Sequence, residues 1–199
     1  PGEALNAGGR LKFIVQWLPV ANFESVKIGI LQLNSTIGDF AANRQKLVAA
    51  YERAVQQDAE FVIAPELFLC GYPPRDLLLR PDFLEANLAT LAETATVVGA
   101  VPLCVGFVDN NPVRPGRALF NSAAVLQSGN IIWRQSKSLL PTYDVFDEDR
   151  YFEPVKTTAP FAFHGRRLGV TICEDIWNDE DFWADRRYRR DPVKELIAQ

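Results

Sequence analysis

The sequence is poor in the residues that most often carry hydrolytic or metal chemistry. It has a single histidine, His164, three cysteines and no methionine. One His leaves a Ser-His or Cys-His hydrolase a single residue for the whole base role. The cysteines at 70, 104 and 173 are odd in number and lack metal-ligand spacing. That argues against a disulfide framework and a Cys/His zinc site, and for a reducing, cytoplasmic compartment. No Met stands even at position 1, which fits a processed or cut chain. No apolar run approaches the ~20 residues that span a membrane. The nearest thing to a signal core, residues 11–20 (LKFIVQWLPV), is broken by Gln16 and Pro19, and no cleavage pattern follows. Residues 1–24 are therefore read as an N-terminal extension. Positive charge is in deficit, with 21 Lys and Arg against 25 Asp and Glu, a net charge of −4. This argues against nucleic acid as a partner. The aromatic and basic stretch 178–191 (NDEDFWADRRYRRD) is closely flanked by acids and reads as a solvated, ion-paired face or a subunit contact. No GxGxxG or Walker A pattern, internal repeat, low-complexity tract or linker is present.

What remains is an ordinary globular chain. Its 199 residues, 48% apolar and 23% charged, suffice for one sizeable core. Residues 26–34 (VKIGILQLN) read as a buried strand, and Asp39 as the cap of a helix carrying Leu47, Val48, Tyr51, Ala54 and Val55 on one face. Residues 61–64 (FVIA) form a second strand. A Pro-rich loop follows, then a helix marked by Leu84, Leu88, Leu91, Ala95 and Val98, and a strand at 101–107. Residues 119–126 and 131–135 flank Gln127-Ser128-Gly129-Asn130, a hairpin signal. A turn at His164-Gly165 precedes a strand at 168–172 (LGVTI), and Asp191-Pro192 starts a last helix. Strands alternating with helices, interrupted by a hairpin, imply an α/β domain with mixed strand directions. The domain is expected to run over residues 25–199 and to be incomplete at its C-terminus.

Three apolar segments each end in a reactive polar residue, the placement expected of a site on an α/β scaffold. Glu66 follows the strand at 61–64 and precedes Leu67, Phe68 and Leu69. A carboxylate there loses solvation and suits general acid or base work, or else is a satisfied buried Glu. Lys137 lies just past the hairpin, where it could face an oxyanion or simply sit in solvent. Cys173 closes LGVTI, and Glu174-Asp175 open what reads as a helix. The helix dipole and a nearby Lys would favour the thiolate, the nucleophilic form. Cys70 and Cys104 read as small core residues.

A base, a cation and a nucleophile make an acyl-transfer set that needs no His. With KIGILQLNSTIGDFAANRQKL, PELFLCGYPPRDLL, LPTYDVFDEDRYF and GVTICEDIWND in this order, the chain from about residue 26 onward resembles the nitrilase (carbon–nitrogen hydrolase) superfamily. Within it, the glutamine amidotransferase domains of glutamine-dependent NAD synthetases are most similar. The resemblance implies a nitrilase-like α-β-β-α sandwich with mixed sheets. It implies Glu66 as general base, Lys137 as oxyanion-stabilising cation, Cys173 as nucleophile and Glu148 as a supporting carboxylate that orients the Lys. It further implies Tyr72, Tyr143 and Glu174 as residues lining a glutamine pocket. The implied reaction is hydrolysis of the glutamine side-chain amide through a Cys thioester, feeding ammonia to ATP-dependent amidation of deamido-NAD. The partners implied are glutamine, a synthetase domain of the same full-length chain and further copies in a homo-oligomer. No metal or cofactor is expected on these residues; ATP and Mg are expected on the synthetase domain, which this sequence lacks. The alternatives are a free-standing amidase or carbamoyl hydrolase acting on another small amide, and a catalytically dead module kept for assembly.

Overall fold

The computed structural model describes residues 25–199; the expected extension at 1–24, with its signal-like stretch, lies outside them. Strand β1 (Ile28–Ile30) leads into helix α1 (Phe40–Gln56), whose first turn is capped as expected, Ala42 N donating to Asp39 Oδ1 at 3.1 Å. Strand β2 (Phe61–Ile63) follows, then helix α2 (Pro81–Ala95) with Pro at its start, and strand β3 (Leu103–Asn110). Strands β4 (Leu119–Gln127) and β5 (Asn130–Ser136) form the expected hairpin, and β6 (Phe161–Phe163) and β7 (Arg166–Leu168) a second, shorter one. Both hairpins turn on two residues in the left-handed region, Ser128-Gly129 and His164-Gly165. That geometry matches the natural twist of paired strands. Helix α3 (Pro192–Ile197) starts at the expected cap, Asp191.

The main sheet has the order β1-β2-β3-β4-β5, parallel through β3 and antiparallel after it, so the expected mixed directions are present. Its two faces follow from alternation along each strand. Val62, Leu103, Val105, Ala124 and Leu126 meet Leu47 and Tyr51 of α1 and Leu91 and Ala95 of α2. Their neighbours in sequence, Phe61, Cys104, Ala123 and Val125, meet Phe161 and Phe163 of β6 together with Ile172. Helices, a five-stranded sheet and a small second sheet thus give three layers of the expected four. On the far side only the six-residue α3 is described, with Leu196 against Gly169. No helix among the described residues is long and apolar enough to cross a membrane.

Two expected strands are shorter than their apolar runs. Of residues 26–34 only Ile28–Ile30 pair, because the neighbouring β2 is three residues long and turns away at Pro65. Of residues 168–172 only Leu168 is in a strand. Ile172 is buried by packing and not by pairing, and its N–H donates to Asp175 Oδ2 at 3.1 Å. An apolar run registers burial, and burial does not require a ladder.

Candidate active site

Glu66 stands where β2 has ended and the chain crosses beneath β3. Gly106 of β3 makes the crossing feasible: a Cβ there would lie 2.3 Å from Leu67 N and 2.6 Å from Pro65 O. Gly106 N donates to Pro65 O at 3.3 Å, and Leu69 N to Gly106 O at 3.3 Å. Leu67 takes φ 47°, a left-handed conformation costly for a branched side chain. Buried Asn43 of α1 holds the far end of this loop, donating to Leu69 O at 3.1 Å and to Thr36 O at 2.7 Å.

Lys137 directly follows β5, and its main chain still pairs, N donating to Asn121 O at 2.8 Å. Its side chain is fully buried. Nζ lies 2.7 Å from Glu66 Oε1 and 2.9 Å from Glu148 Oε2, so the solvated reading of this Lys is set aside. Burial alone would push its ammonium pKa down, but Glu66 and Glu148 outweigh that and hold it above the usual lysine value. Glu148 opens a 3-10 turn (Glu148–Arg150) and is itself buried. Burial and the nearby Glu66 push its carboxyl up, against the opposing pull of Lys137. Asn121 of β4 ties the two carboxylates together, its Nδ2 donating to Glu66 Oε1 at 2.6 Å and to Glu148 Oε2 at 3.3 Å. One cation is thus held between two carboxylates, every contact charge-assisted.

Cys173 opens a 3-10 turn (Cys173–Ile176) at φ 44°; the residue reaches solvent with its thiol half-buried, while Cys70 and Cys104 are buried. It lines a cavity of about 110 Å³ together with Glu66, Gly106, Ser122 and Ile172. Here the structure corrects two expectations. Cys173 follows an unpaired loop, not a strand end. Nor does its environment favour the thiolate. Burial pushes the thiol up to about 11, the carboxylates of Glu66, Glu148 and Glu174 act in the same direction, and Lys137 alone opposes them. A four-residue turn also offers little dipole to offset three anions. No hydrogen bond joins Sγ to Glu66 or Lys137 among the described residues; their coupling is through charge.

Of the remaining expected residues, Tyr143 and Glu174 bond to each other, and Tyr72 bonds to Glu148 while still feeling the charge of Cys173. Tyr143 OH donates to Glu174 Oε2 at 2.8 Å, whereas Tyr72 OH donates to Glu148 Oε1 at 3.1 Å, on the carboxylate side of the cluster. Burial and the charges of Glu148 and Glu66 push the Tyr72 phenol up, so it stays a donor. Tyr143 and Glu174 border a cavity of about 460 Å³ with Trp177, Trp183, Arg187 and Tyr188.

Sequence reasoning missed Asn121, Asp175 and Tyr188. Asn121 had a signal: Asn is depleted in strands, and this one lies inside the mainly apolar β4. Asp175 reads in the sequence only as an opening residue of a helix. Its Oδ1 accepts from Ser138 N and Leu139 N, both at 2.9 Å, while Oδ2 accepts from Ile172 N. One buried carboxylate therefore joins the residues after Lys137 to the residue before Cys173. Tyr188 was hidden in the charged stretch; its OH donates to Glu174 Oε1 at 2.9 Å.

Comparison with known proteins bears on this arrangement. Residues 27–184 match the carbon-nitrogen hydrolase family. The glutamine-dependent NAD(+) synthetase of Synechocystis sp. is 45% identical over 178 residues, which cover 86% of this chain and 32% of that protein. That of Thermotoga maritima is 40% identical over 156 residues, 77% of this chain and 26% of that one. Among solved structures, glutamine-dependent NAD+ synthetase from Acinetobacter baumannii, in complex with ADP, superposes with a TM-score of 0.70 at 38% identity, covering 76% of this chain and 28% of that chain. An amidase from Nesterenkonia sp. superposes with a TM-score of 0.62 at 22% identity, over 76% of this chain and 56% of that one, a likeness of fold alone. The chain spans under a third of the length of the synthetases it matches.

Proposed function

This chain belongs to the carbon-nitrogen hydrolase family, and from that premise we propose that it hydrolyses the side-chain amide of glutamine through a thioester on Cys173. The ammonia released would feed a synthetase domain of the same polypeptide, which amidates deamido-NAD with ATP and Mg²⁺. Assembly as a homo-oligomer is part of the same reading. The observation that carries it is the fully buried Lys137, held by Glu66 and Glu148 beside the Cys173 cavity. Burying a cation between two carboxylates is costly for stability alone, which points to a chemical use.

In this mechanism the resting nucleophile is a thiol. Glu66 takes the Cys173 proton as Sγ attacks the amide carbon, and Lys137 stabilises the oxyanion of the tetrahedral intermediate. The C–N bond breaks as Glu66 returns that proton to the leaving ammonia. A water deprotonated by Glu66 then attacks the thioester carbon, and glutamate leaves as the proton passes back to Cys173 Sγ. Glu148 keeps Lys137 charged throughout, and Asn121 keeps both carboxylates aimed at it. Tyr143 and Glu174 would hold the amino-acid end of glutamine. Tyr72, bonded to Glu148, supports the catalytic cluster from behind.

The test is ammonia release by the full chain from L-glutamine and from simple aliphatic amides. Preference for glutamine, abolished in Cys173→Ala, supports the reading. Equal turnover of simple amides would instead favour the free-standing amidase, and no release from either would favour the dead module.

A further inference from the structure

The donors around Lys137 are shared unequally among the carboxylate oxygens of Glu66 and Glu148. Glu148 Oε1 accepts from Lys137 Nζ at 3.0 Å and from Tyr72 OH at 3.1 Å. Glu148 Oε2 accepts from Nζ at 2.9 Å and from Asn121 Nδ2 at 3.3 Å. Glu66 Oε1 accepts from Nζ at 2.7 Å and from Nδ2 at 2.6 Å. These three oxygens hold two donors each, while Glu66 Oε2 holds none among the described residues. Of the two carboxylates, Glu66 is also the one that lines the Cys173 cavity.

Asn121 stands on a fixed support. Val108 of β3 is its register partner, and Lys137 N donates to its carbonyl oxygen at 2.8 Å. Its side chain is buried, and the amide carries a cost: Oδ1 has no hydrogen-bond partner among the described residues. A buried acceptor left unpaired is expensive, so an amide retained there is retained for its Nδ2 contacts. The shorter of those contacts engages Glu66 Oε1 and leaves Oε2 open. Lys137, by contrast, is fully committed. Three oxygens lie within reach of an ammonium that has three donors, so no N–H is spare for an oxyanion while Glu66 is charged.

We infer that the proton of Cys173 passes to Glu66 Oε2, and that Asn121 is the positioning residue that holds Glu66 by Oε1 through the transfer. The inference rests on the hydrolase reading above and adds to it the receiving atom and the group that keeps it in place. In this step the S–H bond breaks and an O–H bond forms on Oε2. The sulfur electron pair forms the S–C bond, and the carbonyl π pair moves onto oxygen. The arriving proton neutralises Glu66, so Oε1 loses its charge-assisted hold on Nζ. An N–H then becomes free for the new oxyanion without Nζ leaving its place. At that moment the Asn121 amide is the contact that still fixes Glu66. Asn121 acts only through Glu66, so its effect belongs in the chemical step and not in the binding of glutamine.

The experiment follows steady-state ammonia release from L-glutamine across a pH series for the full chain, Asn121→Ala and Asn121→Ser, with thermal midpoints measured alongside. Serine keeps a hydroxyl in the strand but is too short to reach Glu66. In both variants kcat should fall roughly 10- to 100-fold, the scale of a misplaced catalytic group, with KM for glutamine within about threefold. The pH profile of kcat/KM should change as well. Glu66 and Glu148 face one lysine and titrate as a pair. Burial is the largest influence on the Glu148 carboxyl and raises it, whereas the Asn121 amide is among the groups that lower it. The other groups facing the pair, Lys137, Tyr72 and Cys173, are unaltered in both variants. Without the amide the pair keeps its proton to higher pH, so the acidic limb should move up by about one unit. A folded Asn121→Ala with kcat within about threefold of the unaltered chain would overturn the inference. A loss of activity that lies in KM, or that leaves the acidic limb in place, would overturn it too and mark Asn121 as a packing residue. Should Asn121→Ala not fold, the serine variant is read against the same outcomes. If the unaltered chain releases no ammonia from glutamine, the hydrolase reading falls and this inference with it. If glutamine is hydrolysed and both Asn121 variants are silent, this inference alone falls.

Discussion

The two sides of the site are built by opposite means. On one side, Glu66 and Lys137 sit just past the ends of β2 and β5 and Glu148 opens a 3-10 turn, all three locked by contacts of 2.6 to 3.3 Å among themselves and with Asn121. On the other, Cys173 opens a 3-10 turn after an unpaired loop, in a left-handed conformation, and its thiol makes no hydrogen bond among the described residues. The rigid side stores charge and the strained side presents an atom. An attacking group must come free to form a bond, whereas a stabilising charge works best when it does not have to move. The thiol's pKa near 11 completes the contrast. The nucleophile is kept protonated by burial and, after that, by its anionic neighbours, and is activated only in the step that transfers its proton.

If that division is right, removing each side should fail in its own way. Cys173→Ala should abolish ammonia release, by more than about 10⁴-fold, because nothing else in the site can form the thioester; Cys104→Ala or Cys70→Ala with the same selective effect would show that the wrong thiol was assigned. Lys137→Ala should cost at least ~10²-fold in kcat, the scale of one oxyanion donor, with a smaller change in KM for glutamine. A rate within about threefold of the unaltered chain would show that the cluster is structural only. The same variant should also shift the thiol. Lys137 is the charge that lowers the Cys173 pKa, so its loss should move the pH profile of iodoacetamide alkylation further above about 11. In the unaltered chain alkylation should accelerate steadily from pH 7 toward 11, since at pH 8 only about a thousandth of the thiol is ionised. A plateau below pH 9 would mean that burial and the carboxylates do not raise the Cys173 thiol.

Smaller effects should separate support from chemistry. Gly106→Ala forces a methyl into the Pro65–Leu67 backbone and should cost about 1–3 kcal/mol of stability in a denaturant titration. Because that backbone carries Glu66, kcat should drop about tenfold even where the fold survives, since sub-ångström misplacement of a catalytic group is expensive. Unchanged kcat in a folded Gly106→Ala would show that the crossing does not position Glu66. Cys104→Ala should be the mildest change, leaving kcat within about threefold and removing only a small buried thiol.

The main sheet was legible in sequence because its central strands are short apolar runs bounded by turn signals and its hairpin has an unambiguous turn, Ser128-Gly129. The helix caps at Asp39 and Asp191 were readable for the same local reason. What escaped is long-range or unpaired. Ile172 is apolar because it is buried, not because it is in a strand, so LGVTI looked like more ladder than exists. Glu66, Lys137 and Cys173 could be named one by one from where their segments end, but Asn121, Asp175 and Tyr188 gain meaning only once distant segments meet. The sign of the thiol shift escaped too, because it depends first on how deeply the folded chain buries Cys173 and then on which carboxylates come near it, and Glu148 lies 25 positions away along the chain.

Asp175 has a mechanical consequence. Its single carboxylate grips two N–H groups that lie 37 and 36 positions away in sequence, and a third three positions away. The gap between the lysine strand and the cysteine turn is therefore set by a strut a few atoms long, and not by the chain that wanders between them through β6 and β7. Insertions or deletions in that wandering stretch can change the outline of the protein while the working distance holds, and a methyl in place of this carboxylate would let the two halves drift although every reactive atom were still present.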